Sequence, residues 1–120
     1  MRRFLVLIVL AGCVTPSIPI PPPDPQKMTF HLTGTDTTTA TFAYAHDDRY
    51  VDSTVYVYNR DLGIGVIQAA NIDGSLGPTQ PFPAMTGNQV VVSVQLHDQT
   101  ESTCVRVREG APDAFDPCFF

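Results

Sequence analysis

The stretch Gln89-Val90-Val91-Val92-Ser93-Val94-Gln95-Leu96 has the most regular alternation of apolar and other residues in the chain. A period of two residues is the pattern of a β-strand that buries one face. The buried face would consist of Val90, Val92, Val94 and Leu96. This stretch therefore predicts a sheet with an inner face of β-branched and aliphatic side chains.

Similar patterns lie on both sides of this stretch. Large apolar residues alternate with smaller or polar ones, mostly threonine, over residues 28–33 and 39–44. Strands are also expected over 53–59, 64–71 and 102–108. Residues 98–101 are expected to turn the chain, and Gly-Pro and Pro-x-Pro sequences interrupt residues 77–83. No segment has a helical period. Six or seven short strands predict an all-β fold, a single β-sandwich, because two facing sheets can bury apolar faces that one sheet would expose.

Three segments resemble the bacterial immunoglobulin-like modules of cell-surface proteins. Those modules carry the motifs V-x-V-x-N, A-x-x-D-G-S-F and A-x-x-G-D-x-V-x-V, followed by D-x-x-G-x-S. The matching segments here are residues 53–59, 70–76 and 84–92, followed by Asp98 and Ser102. Leu76 and Asn88 depart from the motifs, and the glycine before Ser102 is missing. The resemblance implies an immunoglobulin-like sandwich.

The N-terminus has the layout of an export signal. Arg2 and Arg3 precede an apolar run over residues 4–10, which is far shorter than the ~20 residues that span a bilayer. The run ends in Leu10-Ala11-Gly12-Cys13, which resembles the lipobox of bacterial lipoproteins. The resemblance implies a signal peptide over 1–12, cleavage before Cys13, and a diacylglyceryl group on its thiol. A plain secreted protein and an uncleaved short anchor are the alternatives.

Lipidation would place the protein at a membrane of the bacterial cell envelope. Two or three acyl chains hold a protein stably, since each buried methylene contributes ~0.8 kcal/mol. In the lipoprotein family an aspartate after the cysteine tends to retain the protein in the inner membrane. Val14 occupies that position here, so an outer-membrane location is favoured.

If Cys13 carries lipid, Cys104 and Cys118 remain as an even pair in an oxidising compartment. We expect them to form a disulfide that clips the C-terminal tail to the last strand. Two free thiols or a pair of metal ligands are the alternatives, although no other residue lies at zinc-ligand spacing.

Charge and composition suggest three segments and an acidic surface. After the signal peptide, residues 13–26 form a proline-rich tether and residues 27–120 form the sandwich domain with its tail. The mature chain keeps five basic and twelve acidic residues, a formal net charge of −7. This charge argues against nucleic acid as a partner.

No catalytic motif is recognisable, and we expect neither enzymatic activity nor a cofactor. None of the serines lies in a G-x-S-x-G sequence, and the sequence around Ser75 is more simply a turn. His31 and His97 fall on the polar faces of their strands. His46 lies beside two aspartates but has no recognisable nucleophile to serve.

Asp47, Asp48 and Asp52 are weak candidates for calcium ligands, because hard carboxylate oxygens suit this ion. Their spacing is not that of an EF-hand, and Arg49 lies among them. A solvated acidic loop is the simpler interpretation, and we expect no metal site.

Tyr56 and Tyr58 are candidate binding residues on the strand at 53–59. The simpler interpretation is that both faces of this strand are buried. If the tyrosines are exposed, they can anchor a protein partner or stack on a sugar. The leading hypothesis is a non-enzymatic envelope lipoprotein whose domain binds an envelope protein or a structural polymer. A carbohydrate-binding accessory module with a tyrosine face is the alternative, and a small hydrolase or inhibitor is a third.

Overall fold

The computed structural model describes residues 19–34, 38–116 and 118–119, and these contain seven strands and two short 3₁₀ turns. The 3₁₀ turns are Pro25–Lys27 and Asp48–Tyr50. The strands are β1 (Met28–Thr33), β2 (Thr39–Tyr44), β3 (Thr54–Asn59), β4 (Ile64–Ala69), β5 (Phe82–Pro83), β6 (Gln89–Leu96) and β7 (Gln99–Arg106).

The strands form two antiparallel sheets, with the orders β1-β2-β5 and β4-β3-β6-β7. In the four-stranded sheet, Val57 of β3 stands opposite Val66 of β4 and Val92 of β6. Val90 of β6 stands opposite Val105 of β7. Side chains that face each other across strands point to the same side, so these registers align the apolar faces. The predicted all-β architecture with two packed sheets is confirmed.

The core fills the space between the two sheets. The alternation that predicted β6 is reproduced, since Val90, Val92 and Val94 are fully buried while the residues between them are partly exposed. The facing sheet contributes a tilted aromatic pair, with the ring centroids of Phe30 and Phe42 5.3 Å apart. Such pairs contribute ~0.5–1.5 kcal/mol beyond the area that they bury.

Several strand boundaries differ from the expectation: β3 begins at Thr54, β4 ends at Ala69, and β7 spans Gln99–Arg106. Residues 98–101 were expected to turn, but β7 already begins at Gln99. The turn is confined to His97 and Asp98, because His97 adopts a left-handed backbone (φ 56°) and reverses the chain within two residues. The interrupted region 77–83 supplies only the two-residue strand β5, since Pro83 has no N–H to continue a ladder.

The part of the predicted tether that the structure describes lies against the sandwich. We call residues 19–24 the strap. Ile20 is buried, and its N–H donates to Oε1 of Gln99 at 2.9 Å. The hydroxyl of Tyr50 donates to the carbonyl of Pro21 at 2.7 Å, and that of Thr103 donates to the carbonyl of Pro23. These residues are therefore docked on the domain and do not form a free spacer.

Candidate functional site

Tyr56 and Tyr58 lie on the outer face of the four-stranded sheet. Their neighbours Val55 and Val57 are buried, and the alternation of a strand directs the tyrosines away from the core. Tyr56 is half-buried, and its hydroxyl donates to Oε1 of Gln95 at 2.6 Å. Tyr58 exposes 47% of its surface. Strand β3 thus buries one face, and the interpretation in which both faces are buried does not fit this structure.

A cavity of about 220 Å³ lies beside the two tyrosines. In the register of β3 and β4, Gly65 stands opposite Tyr58 and Ile67 stands opposite Tyr56. Gly65 brings β4 close to β3, because a Cβ at this position would lie 2.1 Å from the carbonyl oxygen of Val57. Ile67 is 69% exposed at the side of the cavity. The cavity is therefore lined by the two tyrosine side chains and, at Gly65, by the backbone.

Two more apolar side chains are exposed at the end of this strand pair, outside the lining of the cavity. Leu62, in the turn between β3 and β4, and Ile64, at the start of β4, expose 47% and 45% of their surfaces. Ile64 stands opposite the buried Asn59, so it lies on the other face of the sheet from the two tyrosines. We call the group Tyr56, Tyr58 and Ile67 the β3–β4 surface. Clustered exposed apolar side chains mark interaction sites on soluble domains. The sequence indicated the two tyrosines, but Gly65 and Ile67 join them only once the strand register is known.

Asp47 is a buried carboxylate paired with two exposed cations, Arg49 and Lys27. Its carboxylate accepts hydrogen bonds from Nε and Nη2 of Arg49 at 2.9 and 2.8 Å, and Nζ of Lys27 lies 3.5 Å away. The N–H of Arg49 also donates to Oδ1. These partners, the Arg49 side chain first, lower the pKa of Asp47 from 3.8 to about 2. The carboxylate thus joins the turn before β1 to the loop before β3.

Tyr50 packs beside this network. Its ring centroid lies 5.5 Å from that of Tyr44. Burial raises the pKa of the Tyr50 hydroxyl, which accordingly serves as a neutral donor to the strap. The hydroxyl of Tyr44 accepts a hydrogen bond from the N–H of Asp24 at 2.9 Å. Both tyrosines are therefore structural, unlike Tyr56 and Tyr58.

The three aspartates proposed as calcium ligands do not converge on a common point. Asp47 is occupied by Arg49 and Lys27, and Oδ1 of Asp48 lies 2.8 Å from Nε2 of His46. Asp52 is exposed in a separate turn. Among the residues that the structure describes, no three His, Cys, Asp or Glu side chains form a group that could hold a metal ion.

Ser75 is held in a turn, as its sequence context predicted. Its hydroxyl donates to Oδ1 of Asp73 at 2.6 Å and accepts from the side-chain amide of Asn71 at 3.0 Å. These bonds to Ser75 lower the pKa of Asp73. His46 pairs with Asp48 instead of Ser75, so the serine has no imidazole partner in this part of the chain.

His31 is exposed on β1, in agreement with the strand alternation, whereas His97 is exposed because it lies in the turn after β6 and not on the strand. Nδ1 of His31 lies 2.8 Å from Oε1 of Glu109, whose other oxygen accepts from the N–H of Leu32 at 2.8 Å. The backbone donor and then the histidine lower the pKa of Glu109. The pair fastens residue 109 along the outer side of β1 rather than forming a reactive group.

Cys104 and Cys118 form the expected disulfide, with their Cα atoms 5.2 Å apart. Both cysteines are buried, although the alternation of β7 directs Cys104 to the outer side of the sheet. The tail after β7 folds back to cover this position. The side chain of Arg60 donates to the carbonyl of Phe119, which links the tail to the β3–β4 turn.

The predicted lipidation site at Cys13 and the signal peptide 1–12 lie outside the described residues. Within residues 19–34, 38–116 and 118–119, no helix has the length and apolar character needed to cross a bilayer. The anchor therefore stays a prediction from the sequence.

Comparison of the chain with protein families, with curated proteins and with solved structures finds no match.

Proposed function

We propose that this chain is a non-enzymatic lipoprotein of a bacterial cell envelope, and that its immunoglobulin-like β-sandwich binds another envelope component through the β3–β4 surface. The observation that carries the proposal is the exposure of Tyr58 and Ile67 beside one cavity, which they line together with Tyr56. A partner that covers these side chains would gain ~25 cal/mol of binding free energy for each Å² of apolar area that is removed from water.

The strand order supports the immunoglobulin-like assignment. Strands β1, β2 and β5 correspond in order to A, B and E, and β3, β6 and β7 correspond to C, F and G. Strand β4 joins the sheet of C, F and G, as the strand after C does in variable-type domains. In constant-type domains the strand that follows C belongs to the sheet of A, B and E instead.

The lipid anchor is supported by Leu10-Ala11-Gly12-Cys13 after a short apolar run. Only seven residue steps separate Cys13 from the buried Ile20, so the strap would hold the sandwich within ~25 Å of the lipidated residue. The domain would therefore work close to its membrane, and the absence of Asp at position 14 favours the outer membrane.

Fractionation of cells tests the anchor. The wild-type chain should sediment with the membranes, and Cys13→Ser should appear in the soluble fraction or as an uncleaved precursor. A Cys13→Ser protein that is processed normally and remains in the membrane fraction would contradict lipidation at this residue.

Cross-linking on living cells tests the binding surface. A recurrent cross-linked species should form with the wild-type chain and be lost with Tyr58→Ala. Phe115→Ala is the matched control, because Phe115 is an exposed aromatic residue (97%) in the C-terminal tail and outside the β3–β4 surface. Equal loss in both variants, or in neither, would contradict a partner at this surface.

A carbohydrate ligand is the second candidate function. Two tyrosines beside a shallow cavity can stack on a sugar ring, and the hydroxyl of Tyr56 is already oriented by Gln95. Envelope polysaccharide fragments should then bind the wild-type chain and not Tyr56→Ala or Tyr58→Ala. Binding that survives both substitutions would exclude the tyrosine face as the sugar site.

A further inference from the structure

The two sheets have four edges, and three of them are protected. At β1, the N–H of Phe30 donates to the carbonyl of Gly110 at 3.0 Å, and the reverse bond is 2.9 Å. At β7, the strap reaches Thr103 and the disulfide ties the tail to Cys104. At the third edge, β5 is only two residues long and contains Pro83. Short strands, proline and coverage are the means by which sheets prevent edge-to-edge pairing.

The fourth edge, at β4, has none of these protections. Among the residues that the structure describes, β4 has a strand neighbour only on its β3 side. Its sequence Ile-Gly-Val-Ile-Gln-Ala contains no proline and no charged residue, in a chain of net charge −5. Every residue of β4 is at least partly exposed. An uncharged and exposed edge of six residues is suited to pairing with another strand.

The register with β3 tells which backbone groups are free to pair. The N–H of Ala70 donates to the carbonyl of Ser53, so even-numbered residues of β4 direct their N–H and C=O groups to β3. The odd-numbered residues, Gly65, Ile67 and Ala69, direct theirs to the open edge. A new antiparallel strand would form its hydrogen bonds with these three residues.

Strand β4 is complementary to a second copy of itself. If a two-fold axis passes beside Val66, Ile67 of each copy stands opposite Gly65 of the other, in hydrogen-bonded pairs. Ile67 is the most exposed side chain of the β3–β4 surface, and Gly65 lines the cavity next to Tyr58. Each copy thus supplies a projecting side chain and the space that receives it.

We propose that two copies of this chain pair through β4 to form a symmetric dimer with one continuous eight-stranded sheet. Self-pairing brings no like charges together, because β4 carries none. Since the other three edges are protected, the assembly closes at two copies instead of growing into a fibre. The two-fold axis leaves the outer faces of both copies on the same side, so Tyr56 and Tyr58 of each copy share one surface.

The inference deepens the proposed function and rests on the β3–β4 surface, for which it names the partner. It is tested on the full chain in its native membranes by cysteine cross-linking. Val66→Cys should form covalent dimers under mild oxidation, because the two Cα atoms in a directly opposed, non-hydrogen-bonded pair are ~4.5 Å apart, within the range of disulfides. Ile72→Cys is the control: residue 72 lies in a turn outside β4 and is 98% exposed, more than the partly buried Val66, so accessibility alone would favour dimers here, yet few should form.

The mass of the full chain in mild detergent provides a second measurement. The wild-type chain and Ile72→Lys should have the mass of a dimer, and Ile67→Lys should have the mass of a monomer, since it places two lysines at the junction. Circular dichroism establishes that each variant folds.

A wild-type chain that is monomeric and gives no Val66→Cys dimers would overturn the inference, and so would a dimer that persists in Ile67→Lys. If the chain is monomeric but Ile67→Lys and Tyr58→Ala both abolish cross-linking to another protein, the second copy is excluded as the partner while the proposed function stands. Loss of the anchor in the Cys13 experiment would leave the dimer unaffected.

Discussion

Replacing Asp47 by Asn should make the protein less stable at neutral pH but not in acid. Asp47 is 7% exposed. Its carboxylate accepts two hydrogen bonds from the side chain of Arg49 and one from the backbone N–H of Arg49. Asn keeps the size and one acceptor oxygen of Asp47 but removes its charge. The substitution therefore isolates the ionic part of this network.

The magnitude follows from the pKa. Folding lowers the pKa of Asp47 from 3.8 to about 2, and each unit corresponds to ~1.4 kcal/mol, so the ionised carboxylate adds about 2 kcal/mol to the free energy of unfolding. Because the folded pKa is the lower one, this contribution is present in full above the unfolded value. It is lost as the pH falls from about 5 to about 2.

Urea unfolding of wild type and Asp47→Asn at several pH values measures this contribution. The two proteins should differ by about 2 kcal/mol at pH 7 and by a few tenths of a kcal/mol near pH 2. Asp48→Asn is the matched control, because the neighbouring Asp48 side chain is 89% exposed, and it should change stability by less than ~0.5 kcal/mol. A difference between wild type and Asp47→Asn that stays constant from pH 7 to pH 2 would refute the assigned role.

Two further predictions concern the segments that flank the sandwich. Cys104→Ser with Cys118→Ser should lower the free energy of unfolding by ~3 kcal/mol, since the bond closes a loop of about 15 residues in the unfolded chain. Urea unfolding with and without reductant checks this prediction. An unfolding midpoint of the wild-type protein that is the same with and without reductant would contradict it. Ile20→Ala should cost ~2 kcal/mol and speed proteolysis within the strap, because Ile20 is 6% exposed. Unchanged cleavage and stability would mean that the strap is not docked in solution.

Much of the fold could be predicted from local pattern alone. Strands β1, β2 and β6 lie where a two-residue alternation is clear, because burial of one face imposes that period, and β3 lies where β-branched and aromatic residues are concentrated. The start of β7 was predicted three residues late. Polar residues 99–101 carry no burial signal, and a left-handed His97 cannot be recognised from its residue type. The disulfide was predictable because only two cysteines follow Cys13.

The candidate site was predicted in part. The sequence indicated Tyr56 and Tyr58 but left their exposure undecided, since Val55-Tyr56-Val57-Tyr58 is apolar on both faces. The docking of the strap was not predicted. Ile20 lies among prolines, a context that is typical of an extended spacer. Its apolar side chain is the only local sign that this segment is buried against the domain.

The sequence by itself determined the secondary structure class, the disulfide partners and the expected lipid anchor, because each depends on residue type and spacing along the chain. Tertiary structure decided which surface is available for binding. The β3–β4 register joins Gly65 and Ile67 to the tyrosines, and the sheet order makes β4 an edge. Both depend on pairings between distant residues, and the exposure of a side chain is fixed only when the strands on either side of it are known.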